Sequence, residues 1–430
     1  MGESHHSWWL WWWSRAGRDG CVLRTQVLKA ARVFEFAICH RQHLAGWASN
    51  HTAGVPWTEK RQHIAGTSFA YDPDYLEAGL PGVATTLPAR DVVIETPGGG
   101  LPAFFTGLLP EGHRLTVLKD AAKTSLSDEL TLLLAVGADA PGDVQIVPAG
   151  ETPAEPDPLA DITDPSHLDF GALAVAVDLH ALPGVQPKAS ASRLSAPLAA
   201  RGGRYVLKLD PPNHPHLVHN EAMHLAAAKA LKIPVSTASV VQDRNGLPGL
   251  LVTRFDRTSD GDEWRHLAME DGAQVLGLPP SSKYNVTSEE VVAALAGASK
   301  APVVAVRNLY LQFVFAWLTG NGDLHAKNVA ILGDRRGGFV VAPVYDIPCT
   351  LLYGDDTMAL PVAGRAKNLR ARHWQEFADS IGLPQRAAAS ANALALRAEA
   401  GIDLEALPFT GSPLNHTVRE LRHRRQELSG

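Results

Sequence analysis

Three residues late in the chain have the types and spacing to move a phosphoryl group. Asp323 stands in the run Gly320-Asn321-Gly322-Asp323-Leu324-His325-Ala326-Lys327-Asn328, and Asp346 closes a second run, Val344-Tyr345-Asp346. Phosphoryl transfer asks for little covalent help. It needs a group that orients the attacking hydroxyl and oxygen ligands for a hard cation that neutralises the phosphates. An Asp, an Asn five residues later and a lone Asp beyond a short hairpin meet those needs. On this spacing Asp323 is the catalytic base, and Asn328 and Asp346 hold Mg²⁺ on the phosphates of ATP. Lys327 lies close enough in sequence to meet a γ-phosphate. Turn chemistry would explain Asn, Gly and Asp in a connecting loop, but not an Asn and a second Asp at these offsets.

An ATP-binding half is expected upstream. The stretch Arg204-Tyr205-Val206-Leu207-Lys208-Leu209 alternates as a strand does, and a helical pattern carrying Glu221 follows it. A strand lysine touching the α- and β-phosphates, paired with a helix glutamate, is the next part such a site requires, so Lys208 and Glu221 are its candidates. Gly184-Val185-Gln186-Pro187-Lys188-Ala189-Ser190 could cover phosphates with backbone N–H groups, although it is neither a Walker A sequence nor a GxGxxG. His214, His216, His219 and His224 lack metal-site spacing and read as a polar loop entering a helix. Arg419, Arg422, Arg424 and Arg425 around His423 read as a solvated helix face, with a phosphate-backbone contact as the unspecific alternative.

The elements that must carry these residues follow from periodicity and punctuation. Strands are expected at Val27–Phe36, Thr67–Tyr71, Asp91–Glu95 and Val144–Val147, and helices at Leu115–Ala122 and Ser127–Val136, the latter capped by Ser127. Further on come a helix at Asn220–Leu231 and strands Val235–Val241 and Leu250–Phe255 joined at Asn245-Gly246. Val303–Leu318 is a strongly apolar helix that delivers the chain into the Asp323 loop. A hairpin of Ile331–Gly333 and Phe339–Ala342 then returns Asp346 beside that loop, and the chain is Ala- and Leu-rich helix from His373 onward.

The 430 residues suffice for two domains or one bilobal one, and 45% hydrophobic with 20% charged residues is ordinary for a soluble globular protein. A formal net charge of −6 argues against coating nucleic acid by bulk charge. Cys21, Cys39 and Cys349 have no metal-type spacing and suit a reducing cytoplasm, the expected location. The aromatic run from Trp8 to Trp13 is too short to span a bilayer, which takes about 20 apolar residues. Residues 1–28 are therefore expected to be a disordered or mis-started leader, with an interfacial anchor as the alternative and no membrane partner. Residues 29–150 form an N-terminal subdomain, 151–166 a Pro- and acid-rich linker, and 167–430 the core, divided into an ATP-binding lobe (167–258) and a helical catalytic lobe (259–430). The fold class is α+β: a small β-rich N-terminal subdomain, then a protein-kinase-like bilobal core with a mostly helical C-terminal lobe.

Taken together these parts resemble the HipA family of serine/threonine kinase toxins over residues 27 to 400. The core carries the resemblance at Gly184–Ser190, Tyr205–Leu209, Asn220-Glu221, Arg254-Phe255-Asp256-Arg257, Met269-Glu270-Asp271, Lys283-Tyr284, Gly322–Asn328 and Tyr345-Asp346. The N-terminal part carries it at Phe69–Leu76, Leu108–Gly112 and Val136–Asp143. The resemblance implies that Asp323 is the catalytic Asp, Asn328 and Asp346 the Mg²⁺ ligands and Lys208 the ATP-phosphate lysine. It makes Thr253–Phe255 the hinge that meets adenine, places Asp256 near the ribose, and makes Gly184, Val185, Gln186 and Lys188 part of the phosphate loop. In the best-known pattern an autophosphorylated serine stands three residues before the Gly of this loop; here Ala181 takes that place, so that off-switch is missing. The resemblance further implies a bacterial toxin–antitoxin module. Its small helix-turn-helix antitoxin would bind operator DNA, and the kinase would block a translation component such as an aminoacyl-tRNA synthetase. Two other readings stay open: a small-molecule phosphotransferase of the aminoglycoside type, since Gly-Asp-Leu-His also occurs there, and a catalytically silent co-repressor scaffold.

Overall fold

The computed structural model describes residues 21–29, 32–40, 66–97, 100–148, 153–155, 157, 160–173, 195–201, 203–260 and 263–429. The N-terminal subdomain is built on five antiparallel strands, β1 (Cys21–Lys29), β2 (Arg32–His40), β3 (Gly66–Ala70), β4 (Ile94–Pro97) and β5 (Val144–Pro148), in the order β4-β3-β1-β2-β5. β1 lies at the centre of this sheet, pairing with β2 from Cys21↔His40 to Lys29↔Arg32 and with β3 from Arg24↔Ala70 to Val27↔Thr67. Residues 21–28 thus belong to the sheet, which corrects the expected leader over that stretch. The reason is register: Arg24 to Val27 have β2 on one side and β3 on the other, a pairing that exists only in the folded sheet. The tryptophan run lies outside the described residues.

Helices α1 (Pro73–Glu77), α2 (Ala103–Gly107), α3 (Gly112–Ala122) and α4 (Glu129–Val136) complete the subdomain. Its core brings together Phe69, Tyr75, Phe104, Phe105, Leu132 and Ile146. The cap of α4 is Asp128 and not Ser127: its Oδ1 accepts the Thr131 N–H at 3.4 Å, while Ser127 shares a hydroxyl contact with Ser125. Both residues are good caps by type, and one position of chain geometry decides between them.

The expected linker is partly built into the core. Its β6 (Ala160–Asp161) pairs in parallel with Ala200 and Arg201 of β7 (Ser195–Arg201) and so edges a second sheet. Glu155 lies 2.7 Å from Nε2 of His266. That sheet continues through β8 (Gly203–Leu209), β10 (Pro248–Thr253) and β9 (Ala238–Gln242), in the order β6-β7-β8-β10-β9. β9 and β10 form the hairpin announced by Asn245-Gly246, where Gly246 adopts a positive φ of 75°. Helix α5 (Leu217–Ala228) packs against this sheet through Val218 and Leu225.

Beyond a short hairpin, β11 (Arg257–Asp260) with β12 (Glu263–His266), the chain becomes mostly helical. A three-stranded sheet of β13 (Met269–Asp271), β14 (Ala330–Gly333) and β15 (Phe339–Val341) carries the hairpin that returns Asp346. Around it lie α6 (Gly272–Val275), α7 (Ser288–Ala298), α8 (Pro302–Thr319), α9 (Ala371–Ser380), α10 (Gln385–Glu399) and α11 (Ser412–Ser429). α7 opens on a capping box between Thr287 and Glu290. Every residue of α8 from Leu309 to Thr319 is buried, so this helix is wrapped on all sides and forms the axis of the lobe. It begins with Pro302 and ends at Gly320, which takes the left-handed cap at φ 69°. The α+β class and the mostly helical C-terminal lobe therefore hold. No helix among the described residues is long and apolar enough to cross a membrane.

The N-terminal subdomain docks on the core through a buried ionic cluster. Arg254 reaches Asp139 Oδ1 at 2.7 Å and Asp256 Oδ2 at 2.8 Å, and Arg257 donates to Asp256 Oδ2 at 2.8 Å and to the Ala140 carbonyl at 2.6 Å. The Gly142 amide donates to Asp256 Oδ2 at 3.0 Å. Nearby, Glu270 accepts both the amide and the hydroxyl of Thr85, each at 2.8 Å.

Candidate active site

Asp323 and Asp346 reach the site by the two routes the sequence suggests. α8 must stop at Gly320 because its last turn is capped in the left-handed region, and the chain then turns through Asn321, whose Oδ1 accepts the Asp323 N–H at 2.9 Å. Gly322 is required there for space. A Cβ at this position would run into the Asp355 carboxylate and the Thr350 hydroxyl, and that hydroxyl accepts the Gly322 amide at 2.7 Å. A Gly322→Ala variant is expected to displace the loop and lose most of any phosphoryl transfer while keeping its thermal midpoint within a few degrees; unchanged turnover would contradict the packing described here.

The Asp323 carboxylate is half-exposed and accepts the Tyr284 hydroxyl at 2.8 Å. His325 flanks it, its Nε2 lying 3.8 Å from Asp323 Oδ1. Its Nδ1 accepts the Lys327 amide at 3.2 Å, so the neutral ring carries its proton on Nε2, facing the aspartate. Burial lowers the His325 pKa to about 4, which keeps the ring neutral. Burial raises Asp323 to about 6; the Tyr284 hydrogen bond pulls it down and the charge of Asp346 pushes it up. A carboxylate poised there is ionised at neutral pH yet a better proton acceptor than a free aspartate.

Asn328 is fixed by its own amide. Its Nδ2 donates to the Asp323 backbone carbonyl at 2.8 Å, which leaves Oδ1 as the oxygen it can offer a cation. Asp346 takes a left-handed backbone at φ 54°, unusual for a residue with a Cβ. That strain turns its carboxylate to Lys208, whose Nζ lies 2.6 Å from Asp346 Oδ1 and 2.8 and 2.9 Å from the two oxygens of Glu221. The ammonium stays charged because the two carboxylates outweigh its burial. Burial works to raise Asp346, but the Lys208 charge prevails and holds it below the usual aspartate value. Asp346 is therefore held as an anion, and the donor set of a carboxylate and an amide oxygen is of the kind that suits Mg²⁺.

The remaining expected residues fall into three groups. Thr253 ends β10 where the upper sheet passes into the lower lobe, and Phe255 packs on Tyr345 with ring centroids 5.5 Å apart. Gly184, Val185, Gln186 and Lys188, with Ala181, lie outside the described residues. Two expectations are corrected. Asp256 does not face a ribose: both of its oxygens are taken by Arg254, Arg257 and the Gly142 amide, and it is buried. Lys327 does not extend toward a γ-phosphate: its Nζ donates to Asp271 Oδ2 at 2.7 Å and to the Gly107 carbonyl at 2.8 Å, anchoring the loop to the N-terminal subdomain. In both cases the side chain is shared between partners in the core and one backbone group of the N-terminal subdomain, the Gly142 amide or the Gly107 carbonyl, which has no local signature.

Sequence reasoning gives no role to Tyr284 or His325, which flank the Asp323 carboxylate. A tyrosine far upstream carries no spacing signal, and only His325 could have been inferred, from its place two residues on. Replacing Tyr284 by Phe removes a hydrogen bond that lowers the Asp323 pKa. The acidic limb of a pH–rate profile should then move upward from about pH 6; a limb that stays or moves down would show that this pair does not govern the titration.

Two family models match this chain: "HipA-like C-terminal domain" over residues 180–402 and "HipA N-terminal domain" over residues 45–147. The chain belongs to the HipA family. The Sinorhizobium fredii protein Y4dM, whose name carries a provisional kinase designation, is 30% identical over 345 residues, 73% of this chain and 79% of that protein. The serine/threonine-protein kinase toxin HipA of Shewanella oneidensis is 27% identical over 347 residues, 73% of this chain and 78% of its own length. Among solved structures, the Shewanella oneidensis HipA in complex with HipB and operator DNA shares this fold at a TM-score of 0.65 and 22% identity, covering 84% of this chain and 92% of that one. HipA membership agrees with the family resemblance read from the motifs.

Proposed function

We propose that this HipA-family chain is an ATP- and Mg²⁺-dependent serine/threonine protein kinase. The observation that carries the reading is the Lys208 ammonium held between Glu221 and Asp346, with Asp323 across the same loop and kept ready to accept a proton. Lys208 would meet the phosphates of ATP, and Asn328 and Asp346 would hold the cation. Bound there, Mg²⁺ would neutralise charge on the phosphates. Asp323 orients the acceptor hydroxyl and takes its proton as the oxygen bonds to the γ-phosphorus and ADP departs. Thr253–Phe255 would border the adenine, and the Gly184–Lys188 segment would cover the phosphates.

Family membership supports a toxin role, with a small helix-turn-helix antitoxin that binds operator DNA as the partner and a protein of translation, such as an aminoacyl-tRNA synthetase, as the target. Expression of the chain should arrest growth, and co-expression of the antitoxin should relieve the arrest. Labelled phosphate from ATP should appear on serine or threonine of a protein. Transfer to an aminoglycoside and resistance in growing cells would instead support the small-molecule reading. Equal operator repression by wild type and an inactive variant, with neither toxic, would support the scaffold.

A further inference from the structure

Far along the chain a cavity of about 320 Å³ opens between the segment around Arg365–His373 and α11, with Trp317 of α8 in its wall. It is rich in cations, and their hydrogen bonding is unbalanced. Arg424 is buried and fully used: it stacks on the Trp317 ring at 3.7 Å, pairs with Glu420 at 2.9 Å and donates to the carbonyls of Trp317 and Asp356 at 3.0 and 2.9 Å. The expected solvated arginine face of α11 is thus, at Arg424, a structural wall. Glu427 lies 3.5 Å from Arg370. With both acids of the cavity engaged, Arg365 and Arg372 remain, exposed and with no carboxylate partner among the described residues.

His373 shows what is missing. It is 5% exposed, its Nδ1 faces the Arg370 amide at 3.0 Å, and a neutral ring has one lone pair, either there or on Nε2. That Nε2 lies 3.2 Å from Nε of Arg372, which is itself an N–H donor. Two donors, the Arg370 amide and Arg372 Nε, therefore converge on a ring with one lone pair, and one of them is left without an acceptor. Burial, and then the charges of Arg372 and Arg365, lower the His373 pKa, so the ring does not resolve the conflict by charging and the local field is positive.

We propose that this cavity is a phosphate-type anion site, separate from the kinase site, in which Arg365, Arg372 and His373 hold the dianion of a small phosphorylated molecule. Guanidinium forks match the paired oxygens of a phosphate, and an oxygen set against Arg372 and the His373 ring supplies the acceptor that the single ring lone pair does not. The cavity is deep enough for a phosphate with a small appended group, and its concavity favours such a ligand over a flat phosphate backbone.

The test is calorimetric titration of the full chain with inorganic phosphate and with phosphoserine, the kinase site being filled by a non-hydrolysable ATP analogue and Mg²⁺. Binding is expected for at least one of them. Tighter binding of phosphoserine assigns the appended group to the cavity, and equal or tighter binding of inorganic phosphate assigns free phosphate as the ligand. The exposed pair Arg365→Gln and Arg372→Gln, together, should weaken binding at least about tenfold, as loss of a charge-assisted hydrogen bond implies, without moving the thermal midpoint. Asp323→Asn should leave it unchanged. No heat at millimolar ligand, indifference to the arginine pair, or binding of duplex DNA but of neither small anion would overturn the site.

Discussion

Asp323→Asn is expected to slow single-turnover phosphoryl transfer by about 10²- to 10⁴-fold, the range attached to a positioned general base. The substitution keeps the shape of the side chain and an oxygen that can accept the Tyr284 hydroxyl, now at 2.8 Å. What it removes is the ability to take the proton of the acceptor hydroxyl. ATP binding should change little, because the lysine that would meet the phosphates is held from the other side by Glu221 and Asp346. The measurement is a rapid-quench assay with labelled ATP beside an equilibrium titration of nucleotide. A loss below threefold, or a matching loss of ATP affinity, would remove Asp323 from the role of base. The pH profile gives a second check: activity should rise as the pH passes upward through about 6, since the ionised form is the active one.

Asp256→Ala should have the largest effect on stability, about 3–5 kcal/mol, the range found when one member of a buried ion pair is deleted. Arg254 and Arg257 are both buried and both give hydrogen bonds to this carboxylate, and the Gly142 amide does too. Asp139 and the Ala140 carbonyl continue to serve both arginines, so the lower half of the range is favoured. The urea midpoint measures it; a shift too small to resolve would show that the cluster does not hold the subdomains together. The paired arginines, working against burial, hold the Asp256 carboxyl far below the ordinary aspartate range. Its contribution is accordingly present above the unfolded value near pH 4 and is lost only as the pH falls through the much lower folded value.

The two corrected residues explain why a motif reading goes only part of the way. Asp256 and Lys327 sit inside runs that resemble family motifs, and a role in nucleotide binding follows naturally from that position. In the folded chain each joins the core to the N-terminal subdomain, Asp256 through Gly142 beside two neighbouring arginines, Lys327 through Gly107 beside Asp271. Two of these partners, Gly142 and Gly107, lie more than a hundred residues away, and neither periodicity nor spacing encodes such a pairing. The same holds for β1, whose place at the centre of the first sheet depends on β3 as well as on its neighbour β2.

By itself, the sequence determined the local parts: the apolar helix that becomes α8, the stop at Gly320, the Asp323–Asn328 spacing, the hairpin that returns Asp346, and the strand and helix that carry Lys208 and Glu221. Each is set by interactions within a few residues, where side-chain type and period are enough. Only the tertiary structure decided which charges meet. It closed Lys208 onto Asp346 across 138 residues, set Tyr284 on Asp323 and diverted Asp256 and Lys327 to the subdomain contact. It also turned Arg424 inward and set the Arg370 amide and Arg372 against the one lone pair of His373. Charged side chains are long and their partners interchangeable by type, so burial and geometry, which exist only once the chain has packed, select among them.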